Sequence, residues 1–185
     1  MDNTLLQIQA FADKAHGDQT RRYTPDRYIV HPTRVMEICQ QYTNDRAVLA
    51  AALLHDVLED TDVTKDNIED FLRTVMDLHQ AQRTIKLVVE LTDIYVKKNF
   101  PQWNRRKRKA LEAERLGKTS PEAQTIKYAD IIDNSAEIAT HDPEFGEKFL
   151  NECRNLLTKM TKGNAELRQR AIDTVHSNIE LLKKS

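Results

Sequence analysis

The sequence has few of the residues that break helices or cross-link a chain. Its 185 residues include 4 glycines, 5 prolines and 2 cysteines, and aromatic residues make up 6%. The cysteines, Cys39 and Cys153, are too few for a disulfide framework and form no CxxC metal or redox motif. A reducing, cytoplasmic setting is therefore expected.

Long apolar runs and a charge excess of either sign are also missing. No apolar stretch approaches the ~18 residues of a membrane span, and the N-terminus lacks the basic start and apolar run of a signal peptide. The 28 basic residues nearly balance the 29 acidic ones, for a formal net charge of −1. We therefore expect neither a nucleic-acid partner nor a membrane partner.

Helical periodicity runs through most of the chain. Leu5 and Ile8 begin the first such pattern, residues 17–29 form a polar turn or hairpin, and the next helix should start near Pro32. These patterns predict an all-α fold, a single helical bundle over residues 1–185.

Several later helix boundaries are also indicated. Asn44 can cap the third helix, and residues 67–91 indicate one long helix or two abutting ones. Ser120, followed by proline and glutamate, is typical of a helix start. Two more helices are expected from about Pro143 and Asn164.

The segment AALLHDVLEDT, residues 51–61, carries the strongest chemical signal. If it is one helix, His55 and Asp56 share a face with Glu59 and Asp60, which follow them at a spacing of four. Acids placed directly after an apolar run are costly to bury unless something pairs with them. A divalent ion such as Mn, Fe or Zn would suit an imidazole with carboxylates. The alternative is a partly exposed helix end with a capping cluster.

Two further places supply candidate ligands. His31 lies where the polar turn meets the second helix, and Asp130 and Asn134 lie four apart in a later helix. With His55 and Asp56, these two residues complete a set of two histidines, His31 and His55, and two aspartates, Asp56 and Asp130. This is a ligand set that a hydrolytic metal site can use.

These segments resemble a known family. HDVLED is similar to the HDxxED motif of the HD superfamily, in its RelA/SpoT-type alarmone hydrolase branch. RRYTPDRYIVHP resembles the family's arginine–turn–tyrosine–histidine segment, and SPEAQTIKYADIIDN resembles its aspartate-bearing helix that ends in asparagine. The basic helix RRKRKALEAE has a counterpart in the small stand-alone members, the metazoan SpoT homologues. The matching segments run from about Ala12 to Asn134.

The resemblance implies an HD-domain fold and an activity. One Mn²⁺ would be held by His31, His55, Asp56 and Asp130, and Glu59 with Asp60 would position and deprotonate the attacking water. The substrate would be a small nucleotide, and the reaction would remove the 3′-pyrophosphate of ppGpp or pppGpp to leave GDP or GTP.

The resemblance also implies substrate-binding residues. Arg22 would pack on the nucleobase and Asn134 would lie near the sugar and phosphate, whereas Lys127, Arg108 and Lys109 would bind phosphate. Each has a simpler alternative as a solvated surface residue, because runs of charge usually face solvent.

Other functions stay open at this point. Tyr23 and the turn after it depart from the family pattern on the nucleobase side, so an NADPH 2′-phosphatase or a ppApp hydrolase is an alternative. A non-catalytic metal-binding or nucleotide-sensing module is another, although Glu59 and Asp60 speak against it. Oligomeric state, native metal, regulators and the role of residues 143–185 are not predicted.

Overall fold

The computed structural model describes residues 2–184, and in this range the chain forms ten α-helices and no strand longer than a single bridge. The helices are α1 (Asn3–His16), α2 (Val30–Gln40), α3 (Arg46–Leu54), α4 (Val57–Asp60), α5 (Lys65–Val75), α6 (Leu78–Leu91), α7 (Arg105–Leu116), α8 (Pro121–His141), α9 (Pro143–Lys159) and α10 (Ala165–Leu182). They fall into two compact units that divide between Thr92 and Asp93. The all-α prediction is confirmed, and the assignment of one domain to residues 1–185 stays a prediction. Within the described range, no helix is long and apolar enough to cross a bilayer.

The first unit is organised around α3. Every residue from Ala47 to Leu54 is buried, and the helix packs against α1, α2 and α6. A helix that is apolar on all sides is stable only when neighbours cover all of it. Truncating the fully buried Leu53 to alanine would cost about 2–5 kcal/mol. The buried helix therefore fixes the position of the two residues that follow it, His55 and Asp56.

A short hairpin precedes α2, as the sequence predicts. Thr20 and Arg27 form an isolated antiparallel bridge. Next to it, the amide of Arg21 donates to the carbonyl of Asp26 at 2.9 Å, and the amide of Tyr28 donates to the carbonyl of Gln19 at 2.9 Å. The hairpin leads directly into α2 and fixes the backbone position of Tyr28.

Local capping explains where the other helices begin. Asp45, rather than Asn44, caps α3 by accepting from the amide of Ala47. Residues 67–91 belong to two helices, because Met76 has an extended backbone and Asp77 caps α6. The predicted start of α8 is confirmed, since the Ser120 side chain accepts from the amide of Ala123.

The second unit is centred on α8, which packs against α9 and α10, and α9 also contacts α7. Tyr128 of α8 is fully buried, and its hydroxyl donates to the carbonyl of Met160 at 2.9 Å. Gly163, in the turn between α9 and α10, lies against the same ring. A Cβ at this glycine would be 2.6 Å from Tyr128 Cε2 and 2.9 Å from the amide nitrogen of Thr125.

Gly163→Ala should therefore destabilise the protein. The added methyl meets a buried ring and backbone that cannot move aside, so we expect a loss of about 1–3 kcal/mol in the free energy of unfolding. Chemical denaturation measures this loss. Gly146→Ala is the matched control: a Cβ there meets the flexible end of Leu182 at 3.3 Å, and alanine favours the helix by about 1 kcal/mol. Equal stabilities for the two variants would contradict the packing argument.

Candidate metal and hydrolytic site

Helix α3 ends immediately before His55 and Asp56. α3 stops at Leu54, and α4 is a single turn from Val57 to Asp60. Asp56 has φ −96° and ψ −8°, in the bridge region where active-site residues are often found. The prediction of one continuous helix through this segment is therefore wrong, although Asp56 and Asp60 still lie one turn apart and contact the same hydroxyl. The backbone breaks at Asp56, whose carbonyl accepts from the amide of Asp60 at 2.9 Å and starts a new turn.

The break brings His55 and Asp56 together with His31 at the start of α2. Asp56 Oδ2 lies 3.1 Å from His55 Nε2 and 3.5 Å from His31 Nε2. Both imidazoles are buried, and their rings meet edge to face with centroids 5.2 Å apart. One ligand atom from each of the three residues lies within 4.8 Å of the others. The first unit thus contains three of the four predicted ligands as one cluster.

The donor set fits a cation. His55 Nδ1 lies 2.8 Å from the carbonyl oxygen of Ala52, so this nitrogen carries the proton and Nε2 presents its lone pair. That lone pair faces a carboxylate oxygen of Asp56 at 3.1 Å. Two acceptors this close repel each other unless a cation or a proton lies between them. A divalent ion bound by imidazole nitrogen and carboxylate oxygen meets this requirement.

Tyr28 connects the cluster to Asp60, one of the two predicted catalytic acids in α4. Its hydroxyl lies 2.7 Å from Asp56 Oδ2 and 3.1 Å from Asp60 Oδ2. Burial raises the pKa of Asp60, and the neighbouring Asp56 carboxylate raises it further. Glu59 lies in the same turn with an exposed side chain. The arrangement places Asp60 beside the cluster, and its raised pKa makes its carboxylate a stronger proton acceptor than an ordinary aspartate.

The hydroxyl contacts of Tyr28 with the two aspartates are not predicted from the sequence. A half-buried tyrosine often finds a hydrogen-bond partner for its hydroxyl, but the sequence does not indicate which one. The ring packs 4.4 Å from the ring of His16, and the guanidinium of Arg21 lies 5.6 Å from its centroid. His16 itself is buried, with Nδ1 2.9 Å from Gln19 Oε1.

The fourth predicted ligand, Asp130, lies in α8 of the second unit, where two neighbours hold its carboxylate. Lys127 Nζ lies 2.7 Å from Asp130 Oδ2, and the Asn134 amide donates to Asp130 Oδ1 at 2.6 Å. The predicted sharing of one helical face by residues 130 and 134 is therefore confirmed. Lys127 and Asp130 also line a cavity of about 90 Å³ within this unit.

The basic helix α7 is largely held by contacts inside the second unit. Lys109 Nζ lies 2.8 Å from Asp93 Oδ2, and Arg108 donates to the carbonyl of Trp103. Arg105 makes two hydrogen bonds of 2.8 Å to the carboxylate of Glu152. Lys109 and Arg105 also line the cavity beside Asp130. The predicted phosphate-binding roles of Arg108 and Lys109 stay predictions.

Arg22 lies in the hairpin before α2 and is exposed. Its guanidinium is 5.2 Å from the ring centroid of Tyr23, the residue that departs from the family pattern. The predicted packing of Arg22 on a nucleobase stays a prediction.

Asp60→Asn tests the electrostatics of the cluster in the metal-free chain. A carboxyl whose pKa is raised by folding contributes stability below its unfolded pKa, and that contribution is lost as the pH rises through the folded pKa. At neutral pH the variant should therefore melt about 1 °C higher than the wild type, a small gain because the residue is partly exposed. The gain should disappear toward about pH 4, the ordinary range of an aspartate pKa.

Differential scanning calorimetry across this pH range, with chelator present, measures the effect. Asp62→Asn, an exposed acid in the next turn, is the matched control and should leave the melting temperature unchanged. A lower melting temperature for Asp60→Asn at neutral pH would contradict the argument.

Comparisons with known proteins show which proteins the chain is similar to. The HD domain family matches residues 9–161. MESH1 of Homo sapiens, a guanosine-3′,5′-bis(diphosphate) 3′-pyrophosphohydrolase, is 35% identical over 164 residues, covering 86% of this chain and 83% of MESH1. An Aquifex aeolicus protein with the same activity in its name is 31% identical over 146 residues, covering 79% of this chain and 19% of its own length.

A solved structure is similar along nearly the whole chain. It belongs to a metazoan ortholog of SpoT that hydrolyses ppGpp, and it matches with a TM-score of 0.78 at 26% identity, covering 96% of both chains. The family match spans both compact units, and the MESH1 relatives cover most of both sequences. This chain therefore belongs to the HD-domain family and is a homologue of MESH1, the metazoan SpoT-like hydrolase.

Proposed function

We propose that this protein hydrolyses the 3′-pyrophosphate of ppGpp and pppGpp, releasing GDP or GTP and pyrophosphate, with one Mn²⁺ ion. The observation that carries the proposal is the cluster of His31, His55 and Asp56 with the acids of α4 beside it. Relatives named for this activity support the choice of substrate, since MESH1 aligns over 83% of its length.

The proposed metal ligands are His31, His55, Asp56 and Asp130. The first three supply two neutral imidazole nitrogens and a carboxylate oxygen within one cluster, and the family motif adds Asp130. A bound divalent ion would lower the pKa of a water molecule and offset negative charge on phosphate oxygens. Manganese is preferred on the resemblance to the family, and the donor set also suits related divalent ions.

The chain's own acids move the proton in this proposal. Water adds to the phosphorus joined to the 3′ oxygen and the bond between that phosphorus and the 3′ oxygen breaks, so the pyrophosphoryl group is transferred to water and the 3′ oxygen of the nucleotide is the leaving group. Glu59 and Asp60 orient the water, and one of their carboxylates accepts its proton. The 3′ oxygen leaves with a proton from solvent or from the same acid.

The remaining proposed residues bind the nucleotide. Lys127, now paired with Asp130, would turn to a phosphate of the substrate once the carboxylate has a cation. Arg108 and Lys109 would add positive charge to the pyrophosphate, a role that guanidinium and ammonium groups fill well. Arg22 would stack on the base, and Asn134 would hydrogen-bond near the sugar.

The expected setting is the cytoplasm. Both cysteines are free and buried in this structure, which fits a reducing compartment. The location and the absence of a nucleic-acid partner stay predictions.

A substrate panel tests the proposal. Metal-stripped protein is incubated with ppGpp, pppGpp, ppApp and NADPH, with and without Mn²⁺, and the products are separated by ion exchange. We expect Mn²⁺-dependent release of GDP or GTP together with intact pyrophosphate. Turnover of NADPH or ppApp alone would change the assigned substrate and leave the proposed metal-dependent hydrolysis in place. No turnover with metal bound would support the sensing alternative.

Substitution of the acids tests the mechanism. Glu59→Gln and Asp60→Asn should each lower kcat by about 100-fold or more, the usual contribution of a general base. Their Mn²⁺ affinities, measured by calorimetry, should stay within about tenfold of wild type, because neither residue is a proposed ligand. Asp62→Asn is the control and should keep full activity. Full activity in both α4 variants would contradict the mechanism.

A further inference from the structure

Tyr28 touches two carboxylates with different proposed roles. Its hydroxyl oxygen lies 2.7 Å from Oδ2 of Asp56, a proposed metal ligand, and 3.1 Å from Oδ2 of Asp60, a proposed base. Resting on the proposed function, we propose that Tyr28 is a positioning residue that sets the distance and orientation of these two carboxylates relative to each other.

Packing contacts hold the ring of Tyr28 in place independently of the contacts that its hydroxyl makes with the acids. His16 packs against it at 4.4 Å between centroids, and the buried guanidinium of Arg21 lies 5.6 Å from its centroid. His31 meets its edge at 6.0 Å. The backbone is held too, since the amide of Tyr28 donates to Gln19 in the hairpin. A side chain locked by packing can hold its hydrogen-bond partner within a few tenths of an ångström.

The chemistry of the hydroxyl explains why a tyrosine suits this place. A phenol has one proton to donate and lone pairs to accept with. It can therefore donate to one carboxylate while remaining in contact with the other, which two ionised acids cannot do for each other. The shorter contact, to Asp56, is the stronger one. Removing the hydroxyl would take away one contact that orients Asp56 and the contact that links Asp60 to it.

Tyr28→Phe removes the hydroxyl and keeps the ring that packs on His16. Groups that orient ligands usually contribute about 10–100-fold to metal affinity or activity. We expect kcat for ppGpp at saturating Mn²⁺ to fall at least about tenfold, with KM unchanged, because Tyr28 is not among the proposed substrate-binding residues. The calorimetric Kd for Mn²⁺ should rise about tenfold.

Tyr42→Phe is the matched control. Tyr42 follows the C-terminal end of α2, on the order of 15 Å along the helix from His31, and its substitution should leave kcat, KM and Mn²⁺ affinity at wild-type values. Melting temperatures equal to that of the wild type rule out unfolding as the cause of any loss. Wild-type kcat and Mn²⁺ affinity in Tyr28→Phe would overturn the proposal.

The two proposals fail separately. If the wild-type chain hydrolyses no nucleotide in the panel, the proposed function fails, and the Mn²⁺ affinities alone decide the role of Tyr28: weaker binding supports it and equal binding overturns it. If Tyr28→Phe does not fold, the near-ultraviolet difference spectrum of the wild type on Mn²⁺ addition decides. A tyrosine signal that persists in each of Tyr23→Phe, Tyr42→Phe, Tyr95→Phe and Tyr128→Phe comes from Tyr28 and supports the contact. A flat spectrum, or a signal that is lost in one of these variants, overturns it.

Discussion

The close approach of Asp56 to two buried imidazoles is the constraint on which the rest of the first unit depends. Two nitrogens lie within 3.5 Å of one carboxylate oxygen, in surroundings where an unpaired charge is expensive. Such a group stays in place only if the backbone around it is rigid. The fully buried α3 supplies that rigidity, and the break at Asp56 turns the carboxylate toward His31.

Both carboxylates of the proposed ligand set are held by donors of this chain. Tyr28 reaches Asp56, whereas Lys127 and Asn134 reach Asp130. Hydrogen bonds of this kind orient a ligand and prevent it from relaxing away from the ion. These contacts set the orientation of Asp56 within the first unit and of Asp130 within the second.

The sequence predicted the helices well where capping is local. Ser120 with its following proline marks α8, and Asn164 caps α10 as expected. The sequence did not predict the helix break after His55. The bridge-region backbone of Asp56 depends on tertiary contacts with His31 and Tyr28, which no local pattern reveals. The partners of the basic run were also beyond reach, since Lys109 pairs with an acid 16 residues away and no periodicity marks such a pair.

Diffraction from crystals soaked with Mn²⁺, collected at the manganese absorption edge, tests the central claim most directly. The account predicts one anomalous peak, bonded to Nε2 of His31 and His55 and to carboxylate oxygens of Asp56 and Asp130. A peak bonded to other residues, or a peak that persists unchanged in His55→Ala and Asp56→Ala crystals, would contradict it.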